Sequence, residues 1–420
     1  MNSFYELLQF NNVKEASENV KNLGVEKIHF SSDSPAVFFK EVQQFNQNAL
    51  HDIAETHHKL WNHKKVLFLY VTSLTEIRIY NCSAKPFNYK DRKVSLEKEL
   101  KNLELTRADF SDQEALEGLL EIFSASAVDS GSLWYRPNEY VEKIVLNTRI
   151  DKFLIESLVK TARALTEDGL DLEVVHSLIM RSLFIMYLED KGATPEEFYD
   201  SQKKNAHSYF DLLDDIEATY SFFEKIKENF NGNVFPVTSH EREQIQLSHL
   251  NLIKRCFTNG DIKNETLFKD WRIFKFDIIQ IELLSEIYEN FLSKTDKIDS
   301  GSYYTPPALV ELILDEVLPV KNNEKNYTIK ILDPTCGSGI FLVEAYKRVV
   351  QRWQSAHKNK KIDFKTLKKL LTDNIYGVEL NSKSIKVATF SLYLSLLDFL
   401  NPKNLWHLND EKFPYLINDT

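Results

Sequence analysis

The sequence predicts a multidomain α/β protein, and three observations support that fold class. The chain has 420 residues, which is too long for one ordinary hydrophobic core. Strand-like segments occur near its start, a long stretch with helical periodicity follows, and strands alternate with helices near its end. We therefore expect a small α/β domain at 1–130, an all-helical connector at 131–296 and a third domain with a parallel sheet at 297–420.

The first domain carries two neighbouring strand-like segments. Val66–Val71 and Glu76–Tyr80 are rich in β-forming residues, and the short connection from Thr72 to Thr75 suits a hairpin. A helical pattern around Asn48–Trp61 precedes them. This combination predicts a mixed α/β N-terminal domain.

The middle of the chain has helical periodicity from about Arg149 onward. Val174–Leu188 predicts a strongly apolar helix, and Gly192 follows it where a helix end is expected. Ile281–Leu292 predicts an amphipathic helix, and Asn229–Pro236 predicts a break between helices. These patterns together predict the connector.

The last part of the chain alternates between the two kinds of element. The patterns predict helices at Ala308–Val317, Ile340–Trp353 and Ser384–Leu400, and strands at Thr328–Leu332 and Asn374–Val378. Strands that alternate with helices indicate a parallel sheet that is covered by helices on both faces.

The composition is that of a globular protein, with 43% hydrophobic and 12% aromatic residues. Its three cysteines lie far apart, without the paired spacing typical of disulfides or zinc sites, which favours a reduced cytosol. The sequence shows neither a signal peptide nor a long uncharged apolar run, so we expect a soluble, cytoplasmic protein without membrane contact. The net charge of −10 argues against a coat of positive charge for nucleic acid, but it leaves a local basic groove open.

The most informative segment is Ile331–Leu342, in which an apolar strand leads through a glycine-containing turn into an apolar helix. Asp333 lies at the predicted C-terminal end of the strand, where ligands of parallel sheets bind. Gly337 and Gly339 allow the backbone to approach a ligand, and the helix N-terminus presents free N–H groups. Glu379 ends the next strand, where a carboxylate can accept hydrogen bonds from both hydroxyls of a ribose. The pattern therefore predicts a site for a nucleoside-type cofactor.

Two classes of cofactor use such a turn, and the residues favour one of them. The dinucleotide fingerprint has three glycines and no acid before them, because it admits a pyrophosphate. This turn lacks the third glycine, and Asp333 at its mouth would repel phosphate. A carboxylate there suits a cationic cofactor that carries an amino group, so the residues favour the methyl donor S-adenosyl-L-methionine.

These residues resemble a known family. Asp333–Leu342 is similar to the cofactor motif of adenine-N6 DNA methyltransferases of restriction–modification systems. Gly301–Pro306 resembles the motif that precedes it in the gamma-ordered subgroup, and Tyr376–Asn381 resembles the motif whose acid binds the ribose. The resemblance implies that 297–420 is the N-terminal half of a Rossmann-like methyltransferase domain that depends on S-adenosyl-L-methionine. The cofactor-binding residues that it implies are Tyr303, Tyr304, Thr305, Pro306, Asp333, Pro334, Thr335, Gly337, Ser338, Gly339, Phe341, Glu379 and Leu380.

The helical middle extends the resemblance to roughly residues 130–420. Arg181–Gly192 and Leu284–Leu292 are similar to the connector of type IIG restriction–modification enzymes. In that family one chain carries nuclease, connector, methyltransferase and target-recognition regions. A generic helical domain is the alternative interpretation of this segment.

The motif that holds the target base in this family does not occur in the sequence. Adenine methylation requires a flipped base in a pocket, and the family holds it with Asp, Asn or Ser followed by Pro-Pro and an aromatic residue. Thr305-Pro306-Pro307-Ala308 has the wrong first and last residues, and Asn401-Pro402-Lys403 lacks the second proline and the aromatic. No catalytic residue is assigned. We expect a truncated or split enzyme. The complete enzyme would bind double-stranded DNA, and a second polypeptide or a C-terminal half would carry the catalytic motif and the target-recognition domain.

Two other functions stay open at this point. The chain can be a non-catalytic subunit of a DNA-defence complex, which senses the cofactor or acts as a scaffold. A methyltransferase acting on RNA or protein is also compatible with these residues.

Three further features of the sequence have a bearing on function. Glu76-Ile77-Arg78 has arginine where a metal-dependent nuclease needs lysine, and Asp33 is only a loose partner, so a degenerate nuclease-like domain is favoured over an active one. The histidines within 51–63 lack the spacing that zinc prefers, and no metal site is predicted. Lys347–Lys369 is a basic stretch that can contact phosphates or form a solvated helix and loop.

Overall fold

The computed structural model of the chain describes residues 4–31, 34–64, 67–135, 139–144, 148–229, 237, 239–261, 271–279, 291, 305–320, 324–358, 360–400 and 413–417. The chain divides into two compact units. The first contains residues 1–154, 257–260 and 265–279, and the second contains 155–256, 261–264 and 280–420. Helices and strands occur in both units, which confirms the predicted mixed α/β class.

The first unit is built on a sheet of six strands, whose spatial order follows the sequence. Neighbouring strands are antiparallel except for the parallel pair β3–β4, which the long helix α3 connects. The strands are β1 Lys14–Glu15, β2 Lys27–Ser31, β3 Ser34–Glu41, β4 Phe68–Thr72, β5 Glu76–Asn81 and β6 Glu104–Asp109. The helices are α1 Phe4–Leu7, α2 Glu18–Lys21, α3 Gln47–His63, α4 Leu96–Leu103, α5 Gln113–Phe123, α6 Ala125–Ser130, α7 Ser132–Tyr135 and α8 Glu139–Lys143.

The predicted hairpin is confirmed, because β4 and β5 pair antiparallel with Phe68 opposite Asn81. Successive side chains of a strand point to opposite faces, and both faces of this sheet are covered. One face lies in a core formed by Phe38, Leu50, Ile53, Leu60, Leu69, Val71 and Tyr80, among others. The other lies in a core formed by Val37, Phe39, Tyr70, Ile77, Ile79, Leu116, Leu119 and Phe123, among others.

The histidines of α3 hold the helix in place. His57 Nε2 lies 2.9 Å from the carbonyl of Asn81, and His58 Nε2 lies 2.7 Å from the carbonyl of Ile273. Burial lowers the pKa of His57 to about 4 and that of His58 to about 3, so both rings are neutral. Among the described residues, no group of three or more His, Cys, Asp or Glu side chains is arranged to hold a metal ion.

The charged residues of the nuclease-like pattern pair with each other. Arg78 donates to Glu76 Oε1 at 2.7 Å on β5, and its guanidinium lies 3.8 Å from the centre of the Phe45 ring. Asp33 lies outside the described residues. The degenerate nuclease-like character of this unit stays a prediction.

A series of helices follows, as the periodicity predicts. Their bounds are α9 Ile150–Glu167, α10 Leu172–Asp190, α11 Glu196–Asp200, α12 Tyr209–Leu212, α13 Ile216–Asn229, α14 Ser239–Gln244 and α15 Leu247–Asn259. The predicted apolar helix is α10, and nearly all of its residues from Val174 to Leu188 are buried. Arg181 of α10 makes a buried, bidentate pair with Glu241 at 2.8 and 3.2 Å, and Tyr220 also donates to that carboxylate at 2.9 Å.

The last part of the chain alternates as predicted. Its elements are α16 Pro307–Val317, β7 Ile331–Asp333, α17 Ile340–Ala356, α18 Phe364–Asn374, β8 Ile375–Gly377 and α19 Ser382–Asp398. The strands are parallel, with Ile331 opposite Ile375. The strand expected from Thr328 is shorter than predicted, because pairing begins only at Ile331.

One expectation about this sheet is not met by the described residues alone. A parallel sheet covered on both faces was expected, yet Leu332 is 61% exposed and Val378, just after β8, is 54% exposed. Helices α17 and α18 contact the strands, whereas nothing described covers these two side chains.

Helix α19 is held between other helices. It packs on α17, and its residues from Val387 to Leu397 are buried. Phe390 of α19 lies 5.7 Å from Phe184 of α10 between ring centres, and Lys191 pairs with Asp398 at 3.0 Å. The helical region and the β7–β8 region therefore belong to one packed unit.

Several predicted features lie outside the described residues. They are Tyr303, Tyr304, most of Ile281–Leu292, most of Asn229–Pro236 and Asn401-Pro402-Lys403. Where the structure describes helices, none is both long and apolar enough to cross a membrane.

Candidate cofactor site

The candidate site lies where strands β7 and β8 end. Asp333 is the last residue of β7 and pairs in register with Gly377, the last residue of β8. Because the strands are parallel, both chains leave the sheet at the same edge. The turn 334–339 follows β7, and residues 378–381 follow β8.

Backbone hydrogen bonds join the two connections beyond this edge. The Val378 N–H donates to the carbonyl of Asp333, and the Cys336 N–H donates to the carbonyl of Val378, both at 2.9 Å. The turn therefore folds back over the end of β8 instead of leaving the sheet.

Glu379 connects the same two segments through its side chain. Its Oε2 accepts a hydrogen bond from the Gly337 N–H at 2.9 Å, and its Oε1 accepts one from the Asn381 N–H at 2.8 Å. Each carboxylate oxygen can accept two hydrogen bonds, so Glu379 can still accept hydrogen bonds from the hydroxyl groups of a ligand. The carboxylate is held in a fixed orientation at the mouth of the turn.

Asp333 is similarly oriented by a local bond. Its Oδ1 accepts a hydrogen bond from the Thr335 N–H at 3.1 Å, and the residue is half-buried. Two carboxylates thus end the two neighbouring strands. A site with this charge repels phosphate and attracts a cationic group.

The two glycines of the turn have different roles. Both adopt positive φ, +86° at Gly339 and +52° at Gly337, which side chains disfavour. A Cβ atom at Gly339 would lie 2.7 Å from the Cβ of Ala388 on α19. At Gly337 it would meet no heavy atom within 4 Å, so the turn is open there and closed at Gly339.

Three residues that fix this geometry were not assigned from the sequence. A Cβ at Gly377 would lie 2.6 Å from Leu342 Cδ1, so the turn and α17 approach β8 closely there. Asn381 caps α19 by accepting the Lys383 N–H at 2.9 Å, and Ala388 forms the wall behind Gly339. The glycine in the last position of β8 could have predicted the close approach of another segment. The contacts made by α19 could not have been predicted, because they depend on residues distant in the sequence.

The other predicted residues surround the turn or begin α16. Pro334 and Thr335 are exposed, Ser338 is buried, Phe341 is half-buried, and Leu380 is fully exposed. Thr305 is half-buried and Pro306, at the N-terminal cap of α16, is exposed. Helix α16 packs on α17, which begins directly after the turn.

Cys336 is a buried residue of the turn, like Ser338. Burial, together with the nearby Asp333 and Glu379 carboxylates, raises the pKa of its thiol to about 11. The thiol is therefore neutral near pH 7 and fills space between the turn and β8.

These features define a class of site: a strand, an acidic glycine turn and a helix at the C-terminal edge of parallel strands, with a second acid in the segment that follows the next strand. Comparison with known proteins connects this region to one family. Residues 279–401 match the family described as N-6 DNA Methylase, the N6-adenine DNA methyltransferases.

Individual proteins show the same relationship. A Methanocaldococcus jannaschii protein, whose name pairs a type II restriction enzyme with a methyltransferase, is 23% identical over 54% of this chain and 25% of its own. The type II restriction enzyme and methyltransferase RM.Eco57I of Escherichia coli is 26% identical over 32% of this chain and 17% of its own. The type I restriction enzyme HindI methylase subunit of Haemophilus influenzae is 28% identical over 28% of this chain and 23% of its own.

The chain therefore spans a quarter or less of the length of each of these three relatives. The matched segment is therefore similar to adenine-N6 DNA methyltransferases, and the relatives named above belong to type I and type II restriction systems.

Proposed function

We propose that this chain binds S-adenosyl-L-methionine and is the cofactor-binding half of a gamma-ordered adenine-N6 DNA methyltransferase of a restriction–modification system. The observation that carries this proposal is the position of Glu379. Its carboxylate is held by the Gly337 and Asn381 N–H groups, just beyond the end of β8, whose last residue pairs with Asp333.

The residues present fit this cofactor. Glu379 keeps acceptor capacity for ribose hydroxyls while its two existing bonds hold it still. Asp333 supplies the charge that the ammonium group of the methionine moiety requires. The open position at Gly337 lets a ligand approach the backbone, and the exposed Leu380 can cover an adenine ring.

The remaining predicted residues complete the proposed pocket. Pro334, Thr335, Ser338, Gly339 and Phe341 form the turn and the first turn of α17. In the gamma order, the segment with Tyr303, Tyr304, Thr305 and Pro306 would close over the methionine moiety. The bound cofactor supplies the methyl group, and this chain's residues orient it.

The face of the β7–β8 sheet that no described residue covers supports the second part of the proposal. Leu332 and Tyr376 lie opposite each other on the two strands, and they are 61% and 42% exposed. Val378, just after β8, is 54% exposed. Parallel sheets in soluble proteins have both faces covered. We assign this face to the rest of the methyltransferase domain, in the same polypeptide or a second one, which would also bring the residues that hold the flipped adenine and recognise the DNA target.

Calorimetric titration with S-adenosyl-L-methionine tests the cofactor site. Replacing a charged acceptor costs about 1.5–3 kcal/mol, so we expect Glu379→Gln and Asp333→Asn each to weaken binding about 10- to 100-fold. Asp373→Asn is the matched control, because Asp373 is an exposed acid at the opposite end of β8. No binding by the wild-type chain, or equal losses in all three variants, would refute the proposal.

A methyl-transfer assay tests the assignment of the uncovered face. The chain is incubated with S-adenosyl-L-methionine labelled on the methyl group and with plasmid DNA. We expect no transfer by the chain alone, even when calorimetry shows that the donor is bound. Transfer to adenine by the chain alone would show that no further polypeptide is needed.

A further inference from the structure

A cluster of lysines lies beyond the C-terminal end of α17. From Trp353 to Thr372 the sequence contains six lysines and one acid, Asp363, within a chain of net charge −10. Five of these lysines are exposed, and we call them the lysine patch: Lys358, Lys360, Lys361, Lys365 and Lys369. Across the described residues, none of the five ammonium groups makes an ion pair, whereas Lys347 of α17 pairs with Glu344.

The arginines of the same basic stretch have a different role. Arg348 is buried and donates to the carbonyl of Leu318 at 3.1 Å, and Arg352 is buried and donates to that of Pro319 at 2.7 Å. Both fix the end of α16 to α17. The charge available to a partner is therefore confined to the lysines.

Helix stabilisation accounts for some of these lysines but not for all. Lys358, Lys360 and Lys361 follow the C-terminus of α17, where cations interact favourably with the helix dipole. Lys365 lies in the first turn of α18, where a cation is unfavourable. The one acid, Asp363, caps that helix by accepting the Thr366 N–H at 2.7 Å. The helix dipole therefore does not account for Lys365.

The lysines that follow α17 are far from the candidate cofactor site. Helix α17 has 17 residues and begins at the glycine turn, so its far end lies about 25 Å from that turn. A ligand at this end of α17 is therefore separate from the methyl donor.

We infer that the lysine patch binds the phosphate backbone of duplex DNA, independently of sequence and of the cofactor site. Lys365 and Lys369 are four residues apart on α18, which places them about 6 Å apart along one helix face. Flexible, exposed lysines suit the closely spaced charges of phosphates. The nearby Trp353 ring is already stacked on His357, at 4.2 Å and 20°, which favours backbone contact over stacking on unpaired bases.

Fluorescence anisotropy with a labelled duplex of arbitrary sequence tests the inference on the full chain without cofactor. The test variant is Lys361→Glu/Lys365→Glu/Lys369→Glu. The control, Lys93→Glu/Lys98→Glu/Lys101→Glu, makes the same change in net charge at exposed lysines in and just before α4, where Glu97 and Glu99 balance them. A glutamate in the first turn of α18 favours that helix, so unfolding would not explain a loss; circular dichroism checks this.

We expect the patch variant to lose at least about tenfold in affinity, and its log–log salt slope to become shallower by about 2 to 3. The control should change both quantities much less. Equal losses in the two variants, or no duplex binding by the wild type at low salt, would overturn the inference. Binding of poly-glutamate with the same dependence on the patch would assign the surface to an acidic protein instead, and would also overturn it. These outcomes can be read whether or not the chain binds S-adenosyl-L-methionine.

Discussion

The two sheets of this chain contain the same motif, a pair of parallel strands, in opposite environments. In the first unit β3 and β4 pair in parallel within six strands, and every residue of β4 is buried. In the second unit the described strands β7 and β8 pair in parallel with each other, and Leu332 and Tyr376 are exposed. Within the described residues, the first sheet is enclosed on both faces, whereas the second exposes apolar side chains on one face.

The two sheets also differ in what their apolar side chains contribute. Apolar side chains that are buried on both faces of a sheet contribute to folding free energy. Exposed apolar side chains contribute little until another surface covers them, and a contiguous set of them marks an interaction site. The acidic residues of the candidate site lie in the second sheet, where the backbone is less enclosed.

The largest effect is expected from truncating matched leucines of the two sheets. Leu69 of β4 is fully buried, so Leu69→Ala should cost about 2–5 kcal/mol. Leu332→Ala should cost less than about 0.5 kcal/mol, because Leu332 is already in solvent. Urea denaturation followed by circular dichroism measures both. An equal loss of unfolding free energy in the two variants would mean that the β7–β8 face is covered within this chain, and would contradict the difference between the two sheets.

A smaller difference between matched variants is expected within the glycine turn. Gly337→Ala should cost about 1–2 kcal/mol, because its φ of +52° is unfavourable but its surroundings are open. Gly339→Ala adds a contact with Ala388 and should cost about 1–3 kcal/mol more. The added Ala388→Gly substitution should recover part of that loss, since the two residues are in contact. Equal costs at the two glycines would contradict the close packing of α19 on the turn.

The smallest effect concerns thiol reactivity in the two units. The pKa of Cys336 is raised to about 11, so its alkylation at pH 8 should be about 100-fold slower than that of a thiol with the ordinary value of 9.0. The rate should rise about tenfold per pH unit up to pH 10, and Asp333→Asn should increase it because Asp333 raises this pKa. Cys82, buried in the first unit with a pKa raised much further, should stay unlabelled. Mass spectrometry of alkylated peptides provides the rates. Faster labelling of Cys82 than of Cys336 would contradict the tighter packing of the first unit.

The sequence predicted elements whose signal is local. The apolar helix α10, the β4–β5 hairpin and the strand–turn–helix at Asp333 each have a strong pattern of their own. Strands β1, β2, β3 and β6 were not predicted. Distant pairing explains part of this, because β3 pairs with β4 across helix α3 and β6 pairs with β5 across helix α4, whereas β2 and β3 form a local hairpin. Lys40 and Glu41, for example, lie in β3 despite being charged, since Lys40 reaches Asp52 at 2.8 Å and Tyr5 donates to Glu41 at 2.6 Å.

The same distinction applies to the candidate site. Asp333, Gly337, Gly339 and Glu379 were predicted from motif order, because strand ends and glycine turns have a sequence signature. The bond from the Gly337 N–H to Glu379 joins residues 42 positions apart, and the wall at Ala388 belongs to another helix. Neither contact can be inferred from spacing, although both determine the shape of the turn.

Hydrogen–deuterium exchange with and without saturating S-adenosyl-L-methionine tests whether the cofactor binds at the second sheet, because it observes both sheets at once. We expect at least about tenfold slower exchange in peptides covering the turn 334–339 and residues 378–381, where the Gly337 and Asn381 N–H groups bond to Glu379. We expect no change in peptides from β4 and β5. Unchanged exchange at the turn, or protection confined to the first sheet, would contradict the assignment of the cofactor site to the second sheet.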